Sequence, residues 1–162
     1  MNAVECLKRV GITAGLLLVL LAIAQGAGDV MTVEIAEPGG PLTEPAFSLK
    51  VTMTNISGRD LTLIKSNPGC DFIASVKVAD GRVVGFTEAG RELAECKHRM
   101  LLGRRIIVTL HPEESTQDTY PLTWYYDLSR SGSYTVKLQR EVPQAVGGGI
   151  ISSNEVTLVV AR

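Results

Sequence analysis

The residues best suited to catalysis or metal binding are cysteines and histidines in the middle of the chain. Cys96 and His98 are two positions apart, so a strand would place this thiol and this imidazole on one face, where they could form a nucleophile and base pair. Together with Cys70 and His111 they also provide the ligand types of a zinc site. The Cys-x-x-Cys spacing of structural zinc sites is missing, so we expect no metal and no cofactor.

Two other patterns are incomplete as catalytic motifs. Gly132-Ser133-Tyr134 lacks the second glycine of a Gly-x-Ser-x-Gly nucleophile elbow. Glu113 and Glu114 are adjacent residues in an expected turn, where neighbouring side chains point apart, so we do not expect them to act as a glycosidase pair. We therefore predict that the protein is not an enzyme.

The N-terminal segment has the composition of a secretory signal peptide. A short basic start is followed by a run of 15 residues without charge, from Val10 to Ala24. A membrane-spanning helix needs about 20 apolar residues, so we expect a signal peptide and no permanent membrane anchor. Cleavage after Ala24 or after Gly26 fits the small residues there. We assign residues 1–26 to the signal peptide and residues 27–162 to one exported domain, periplasmic or extracellular.

Cleavage would change the number of cysteines in the protein. Cys6 would leave with the signal peptide, and Cys70 and Cys96 would remain. An even pair in an exported protein predicts one disulfide bond. This bond would close a loop of about 25 residues, worth ~3–4 kcal/mol in the chain-entropy model, and would remove the Cys96 thiolate from chemistry.

Composition and charge exclude some classes of partner. The chain has 16 basic and 17 acidic residues and a net charge of −1, which disfavours nucleic-acid binding by bulk positive charge. Its basic residues are concentrated from Lys97 to Arg105, with Arg99 and Arg104 between them. This run could contact an acidic protein, an anionic polymer or a lipid headgroup, or it could be a solvated loop with internal ion pairs.

Apolar and polar residues alternate with a period of two along most of the remaining chain, which is typical of strands with one buried face. The inward series are Met31, Val33 and Ile35; Phe47, Leu49, Val51 and Met53; Phe72, Ala74, Val76 and Val78; Ile106, Val108 and Leu110; Tyr134, Val136 and Leu138; and Val156, Leu158 and Val160. Asp80-Gly81 is a hairpin signal between two of these runs. We expect about seven to nine short strands, with an excursion over Glu88–Leu102 that holds at most a helical turn or two. The prediction is an all-β, antiparallel β-sandwich.

One segment favours the immunoglobulin-like version of this architecture. Asp127, Gly132 and Tyr134 have the spacing of a tyrosine corner, in which a phenol at the start of a strand bonds to upstream backbone. The segment Leu110–Leu138, with the strand Phe47–Asn55, resembles bacterial secreted immunoglobulin-like domains. The resemblance implies a cell-surface, adhesion or inhibitor module. The chain lacks the disulfide between sheets that packs on a tryptophan in antibody-type domains.

The expected contact residues lie on loops. Asn67-Pro68-Gly69 resembles the start of the inhibitory loop of chagasin-type cysteine-protease inhibitors, although the Thr-Thr of that loop is missing. Gly147-Gly148-Gly149 would supply a second, flexible element.

Aromatic residues between positions 120 and 126 suggest a third candidate surface. Tyr120, Leu122 and Trp124 alternate as a buried strand would, which predicts a buried Trp124. Tyr125 could also fill the core, or it could be a contact residue on an edge of the sandwich, where it would stack on a sugar ring or anchor a protein partner. We interpret the protein as a non-catalytic binding or structural module whose partner is an unknown protein or a cell-envelope polymer. Protease inhibition and glycan binding are the alternatives.

Overall fold

The structure is a computed structural model that describes residues 27–36, 42, 47–94 and 105–161. The assigned signal peptide lies outside these residues. The described part of the chain contains eight β-strands and three short α-helices. The strands are β1 (Met31–Ile35), β2 (Leu49–Asn55), β3 (Leu61–Lys65), β4 (Ile73–Val78), β5 (Ile106–Leu110), β6 (Ser115–Tyr120), β7 (Gly132–Glu141) and β8 (Ile150–Val160). The helices are α1 (Pro68–Asp71), α2 (Glu88–Ala94) and α3 (Leu122–Tyr125).

The strands form three antiparallel sheets. One has the order β1-β2-β6, and a second has the order β4-β7-β8. Strands β3 and β5 pair with each other as a two-stranded ribbon, which we call the β3–β5 ribbon. The expectation of a mainly antiparallel β protein with about seven to nine strands is therefore confirmed for the described residues.

The core is built from the inward series of the period-two pattern. Val51 and Met53 of β2 are buried, as are Val136 of β7 and Leu158 of β8. These side chains belong to one continuous apolar cluster that both three-stranded sheets supply. Burial of this cluster is the main stabilising contribution, because apolar surface removed from water is worth ~25 cal/mol per Å².

A side chain on β8 holds the edge of β1. The Asn154 amide donates to the Ile35 carbonyl at 2.9 Å, and its Oδ1 accepts from the Ile35 N–H at 2.8 Å. One side chain therefore satisfies both backbone groups of an edge residue, as a neighbouring strand would. This contact links the sheet that contains β1 to the sheet that contains β8.

Asn55, at the end of β2, anchors the turns that orient the β3–β5 ribbon. Its side-chain nitrogen donates to the carbonyls of Arg59 and Leu110 at 2.8 and 2.9 Å. Its Oδ1 accepts from the Ser57 N–H and hydroxyl at 2.9 and 2.7 Å. The amide is fully buried and fully bonded, so it fixes one end of the ribbon, where β3 begins and β5 ends, relative to β2.

Two local predictions were wrong. Residues 122–125 form the helical turn α3 instead of continuing a strand, so Leu122 and Tyr125, three positions apart, share the buried face. Trp124 consequently points outward, with 63% of its surface exposed. Ile106, which was expected to point inward, is also exposed, because it lies at the first position of β5 opposite Lys65.

Candidate functional site

A cleft of about 510 Å³ lies between the β3–β5 ribbon, α1 and the end of β7. We call it the Asn67 cleft. Three residues that the sequence analysis singled out line it together: Asn67, Cys70 and Arg105. Its walls are completed by side chains from β3 and β7, notably Ile64 and Arg140. The cleft therefore brings together residues that were predicted separately from the sequence.

Asn67 begins α1 and is held from two sides. Its Oδ1 accepts from the Gly69 N–H at 2.9 Å and from the Tyr125 hydroxyl at 2.6 Å. Gly69 lies against the Tyr125 ring so closely that a side chain at this position would clash with it. Asn67-Pro68-Gly69 is therefore a closed helical turn packed on the core, and its side-chain oxygen is already bonded within the protein.

Arg140 is a buried arginine that joins three elements at the floor of the cleft. Only 5% of its surface is exposed. Its Nη2 donates to the Ile64 carbonyl of β3 at 2.9 Å, and its Nη1 lies 3.6 Å from a carboxylate oxygen of Asp71 in α1. The guanidinium carbon lies 5.2 Å from the centre of the Phe72 ring. Its Nε and Nη1 have no hydrogen-bond acceptor, so the burial of this charge depends on Asp71 and Phe72.

Sequence reasoning missed Arg140, although the signal was present. The inward series Tyr134, Val136 and Leu138 reaches position 140 with one more step of the period-two pattern. Asp71 was missed as well, because a carboxylate in a Pro-Gly-Cys-Asp turn has no distinctive spacing. The Ser66 N–H and hydroxyl both donate to Asp71, at 2.7 Å each. Asp71 is thereby oriented toward Arg140.

Exposed isoleucines border the cleft. Ile64 and Ile107 are paired across the β3–β5 ribbon, and Ile73 begins β4 on the opposite side. All three are exposed, and we call them the isoleucine surface. Arg105, which lies just before β5 and two positions before Ile107, is also exposed and lines the cleft. Among the described lining residues, the site therefore combines apolar area with an accessible positive charge at Arg105 and an accessible negative charge at Glu141.

The aromatic contact residue was assigned to the wrong position. Tyr125 is buried, and burial raises the pKa of its phenol, which stays a neutral hydrogen-bond donor to Asn67. It does not offer the exposed ring that stacking on a sugar requires, so its assignment as a contact residue is corrected. Trp124, which was expected to be in the core, is the exposed aromatic residue of this segment.

The loop of Gly147, Gly148 and Gly149 lies outside the lining of the Asn67 cleft. Gly147, Gly148 and Gly149 all have positive φ, at 134°, 67° and 96°, which explains why glycines occur there. They connect β7 to β8, and the Gly149 carbonyl accepts from the Val142 N–H at 2.8 Å. They do not line the Asn67 cleft. The structure thus does not bring this loop to the other candidate residues.

The segment of the expected tyrosine corner has ordered local hydrogen bonds. Tyr134 is buried, and its hydroxyl donates to the Arg130 carbonyl, four residues upstream, at 2.7 Å. Asp127 accepts from the Ser129 N–H at 3.0 Å, and Gly132 begins β7 beside Val160. These bonds fix the crossover that enters β7.

Several predicted residues lie outside the part of the chain that the structure describes. They are Cys96, Lys97, Arg99 and Arg104. The disulfide partner of Cys70 and most of the basic run therefore stay predictions. Cys70 itself lies in α1, half-buried at the wall of the Asn67 cleft.

Two other kinds of feature are absent from the described ranges. No three histidine, cysteine, aspartate or glutamate side chains there are grouped to hold a metal ion. None of the helices described is long and apolar enough to span a bilayer. In comparisons with known proteins, no protein-family model and no curated protein matches the chain.

Proposed function

We propose that the protein is an exported, non-catalytic binding module with an immunoglobulin-like β-sandwich fold, and that it binds a protein partner at the Asn67 cleft. The strand orders support the fold. Sheets β1-β2-β6 and β4-β7-β8 match the A-B-E and C-F-G arrangement of an immunoglobulin-like sandwich, with the β3–β5 ribbon as an addition. The hydrogen bond from Tyr134 to the Arg130 carbonyl supports the tyrosine corner.

Export and the disulfide bond are parts of the same proposal. The uncharged run from Val10 to Ala24 supports a signal peptide. A bond between Cys70 and Cys96 would attach the segment after α2 to α1, at the wall of the cleft. It would thereby bring the basic run Lys97–Arg105 close to the proposed binding site, because Lys97 follows Cys96 directly.

The isoleucine surface is the observation that carries the binding proposal. Isolated exposed apolar residues are ordinary, but several large apolar residues exposed around one cleft are typical of an interaction site. Ile64 and Ile73 lie at the cleft, and Ile107 extends the same face. A protein segment with apolar side chains and a carboxylate directed at Arg105 fits this surface better than a polysaccharide, which would be bound mainly by aromatic rings.

A capture experiment with matched variants tests the proposal. The purified protein would be immobilised and exposed to envelope extract of its native host, beside the variants Ile107→Asn, Arg105→Ser and Ile150→Asn. Ile150 is the control, because it is 65% exposed on β8 and belongs neither to the cleft lining nor to the isoleucine surface. We expect the unchanged protein and Ile150→Asn to retain the same partner with acidic and apolar segments, and we expect Ile107→Asn and Arg105→Ser to lose it without a change in Tm. Equal retention by all variants, or no saturable partner, would contradict the proposal.

One observation favours glycan binding as a second candidate. Trp124 is the single tryptophan of the chain, and its exposed ring could stack on a sugar. A titration with soluble cell-wall polysaccharide would then change the tryptophan fluorescence with a saturable dose dependence. An unchanged spectrum, or the same response to unrelated dextran, would contradict this alternative.

A further inference from the structure

A second and smaller pocket, of about 280 Å³, lies between α1, β4 and α2. We call it the aromatic pocket. Its walls are mainly carbon atoms of Phe72, Phe86, Tyr120 and Tyr126, and the one charged side chain in its lining is Arg91. It is separate from the Asn67 cleft, with which it shares only Ile73 among the lining residues.

The walls of this pocket are held in place before any ligand enters. The Phe86 and Tyr126 rings are 4.8 Å apart between centres, at an angle of 32°. The Tyr126 hydroxyl donates to the Ala74 carbonyl at 2.6 Å, which fixes the ring to β4. Behind the pocket, the Tyr120 ring packs 5.1 Å from the ring of Tyr125. A pocket with fixed walls loses little entropy on binding.

Arg91 is positioned over the pocket by the close seating of α2. The Thr87 hydroxyl donates to the Trp124 carbonyl at 2.6 Å, and the Thr87 N–H donates to the Tyr125 carbonyl at 2.9 Å. Gly90 lies so close to the Tyr125 backbone that a side chain at position 90 would clash. The glycine therefore lets the helix lie directly on α3, which brings the next residue, Arg91, to the pocket.

The electrostatics of the pocket favour an anion. Arg91 has no ion-pair partner among the described residues. Burial raises the pKa of Tyr126 to about 12 and also raises the pKa of Tyr120, so both phenols are neutral at physiological pH and place no negative charge in the walls. Glu88 and Glu92 lie on the same helix as Arg91 but do not line the pocket.

We infer that the aromatic pocket binds a small aromatic carboxylate, with its ring against Phe86 and Tyr126 and its carboxylate paired with Arg91. The volume of about 280 Å³ is sufficient for a single ring with a short acidic chain. A ring in offset or tilted contact with Phe86 gains more than its area burial alone. A charge-assisted hydrogen bond to the guanidinium would select the acid over its neutral analogue.

The test uses 3-phenylpropionate as the probe and 3-phenylpropanol as its neutral match. Each would be titrated into the full mature protein while amide shifts are followed by nuclear magnetic resonance. We expect saturable shifts at Ile73, Ala74 and Arg91 with the acid, and at least about tenfold weaker binding of the alcohol. Arg91→Met should remove that difference by weakening the acid alone, whereas Arg130→Met, an exposed arginine outside the pocket, should leave it unchanged.

Two results would overturn the inference. One is equal affinity for the acid and the alcohol in the unchanged protein. The other is a set of amide shifts with 3-phenylpropionate that does not saturate, or that is the same in Arg91→Met as in the unchanged protein. The Ile107→Asn variant should bind 3-phenylpropionate normally, so this experiment is independent of the proposed partner site at the Asn67 cleft.

Discussion

Ile64 and Ile107 lie directly opposite each other across the β3–β5 ribbon, and both are exposed, at 52% and 72% of their surface. Directly opposed β-branched pairs normally stabilise a sheet by packing on a covered face. Here the face is open beside a cleft that Arg105 also lines. The pair therefore has the features of a contact surface and contributes little to the core.

The floor of the same cleft depends on Arg140. We expect Arg140→Ala to lower the free energy of unfolding by ~3 kcal/mol, because it leaves the Asp71 carboxylate buried without its cation and removes the bond to the Ile64 carbonyl. Urea denaturation of the variant and the unchanged protein measures this difference. Arg130→Ala, at an exposed position, is the control and should stay within ~0.5 kcal/mol. A loss below ~1 kcal/mol in Arg140→Ala would show that Arg140 does not hold the cleft together.

The tyrosine corner gives a second stability prediction. Tyr134→Phe removes one hydrogen bond to the Arg130 carbonyl and keeps the buried ring. We expect a loss of ~1 kcal/mol, since that is the usual net worth of such a bond. Thermal and urea unfolding of the two proteins measure it. An unchanged stability would mean that the Tyr134 hydroxyl finds an equal partner in water, and the corner interpretation would lose its energetic support.

Much of this fold was predictable because local pattern and tertiary packing agree. The inward series of β1, β2, β7 and β8 are buried as their period of two predicted. Trp124, the expected core residue, is exposed, and Tyr125, the expected contact residue, is buried. The sequence did not indicate this, because a four-residue helical turn is too short to produce a helical period. The burial of Arg140 was missed because a charge is normally read as exposed, and its counter-charge Asp71 is 69 positions away in the chain.

The site itself could be predicted only in fragments. Asn67, Cys70 and Arg105 each had a local reason to be noted, but their meeting depends on how the β3–β5 ribbon packs beside β7. That placement is set by long-range contacts such as those of Asn55, which a single sequence does not reveal. Arg91 has no distinctive spacing in the sequence, and its position over an aromatic pocket follows from α2 lying on α3.

One histidine gives a pH prediction. The Asp60 carboxylate, 2.9 Å from the His111 ring, raises the pKa of His111 above its ordinary value of 6.5. Because the pKa of His111 is higher in the folded protein than in the unfolded chain, its pairing with Asp60 adds to the free energy of unfolding. This contribution is fully present below pH 6.5 and is lost as the pH rises through the folded pKa. The contribution is small, since both groups are exposed. Titration by nuclear magnetic resonance should give a lower His111 pKa in Asp60→Asn, and an identical pKa in both proteins would contradict the ion pair.

Export and the disulfide bond predict a particular mass. Protein from its native host should lack residues 1–24 or 1–26 and should weigh two hydrogens less than the reduced chain. Cys70 and Cys96 should react with an alkylating agent only after reduction. Intact-mass spectrometry with and without reductant measures both properties. A full-length mass with a reactive Cys96 would contradict export and removal of the signal peptide. It would also make thiol chemistry beside His98 a candidate again.

The central claim, that a protein partner binds at the Asn67 cleft, is tested most directly by affinity. The partner recovered by capture would be titrated against the unchanged protein, the double variant Ile107→Asn with Arg105→Ser, and the control Ile150→Asn. We predict that the double variant binds at least about 100-fold more weakly, the effect of losing ~3 kcal/mol at a contact centre, while the control keeps the same Kd and all three proteins melt together. Equal Kd values for the double variant and the unchanged protein would contradict the account.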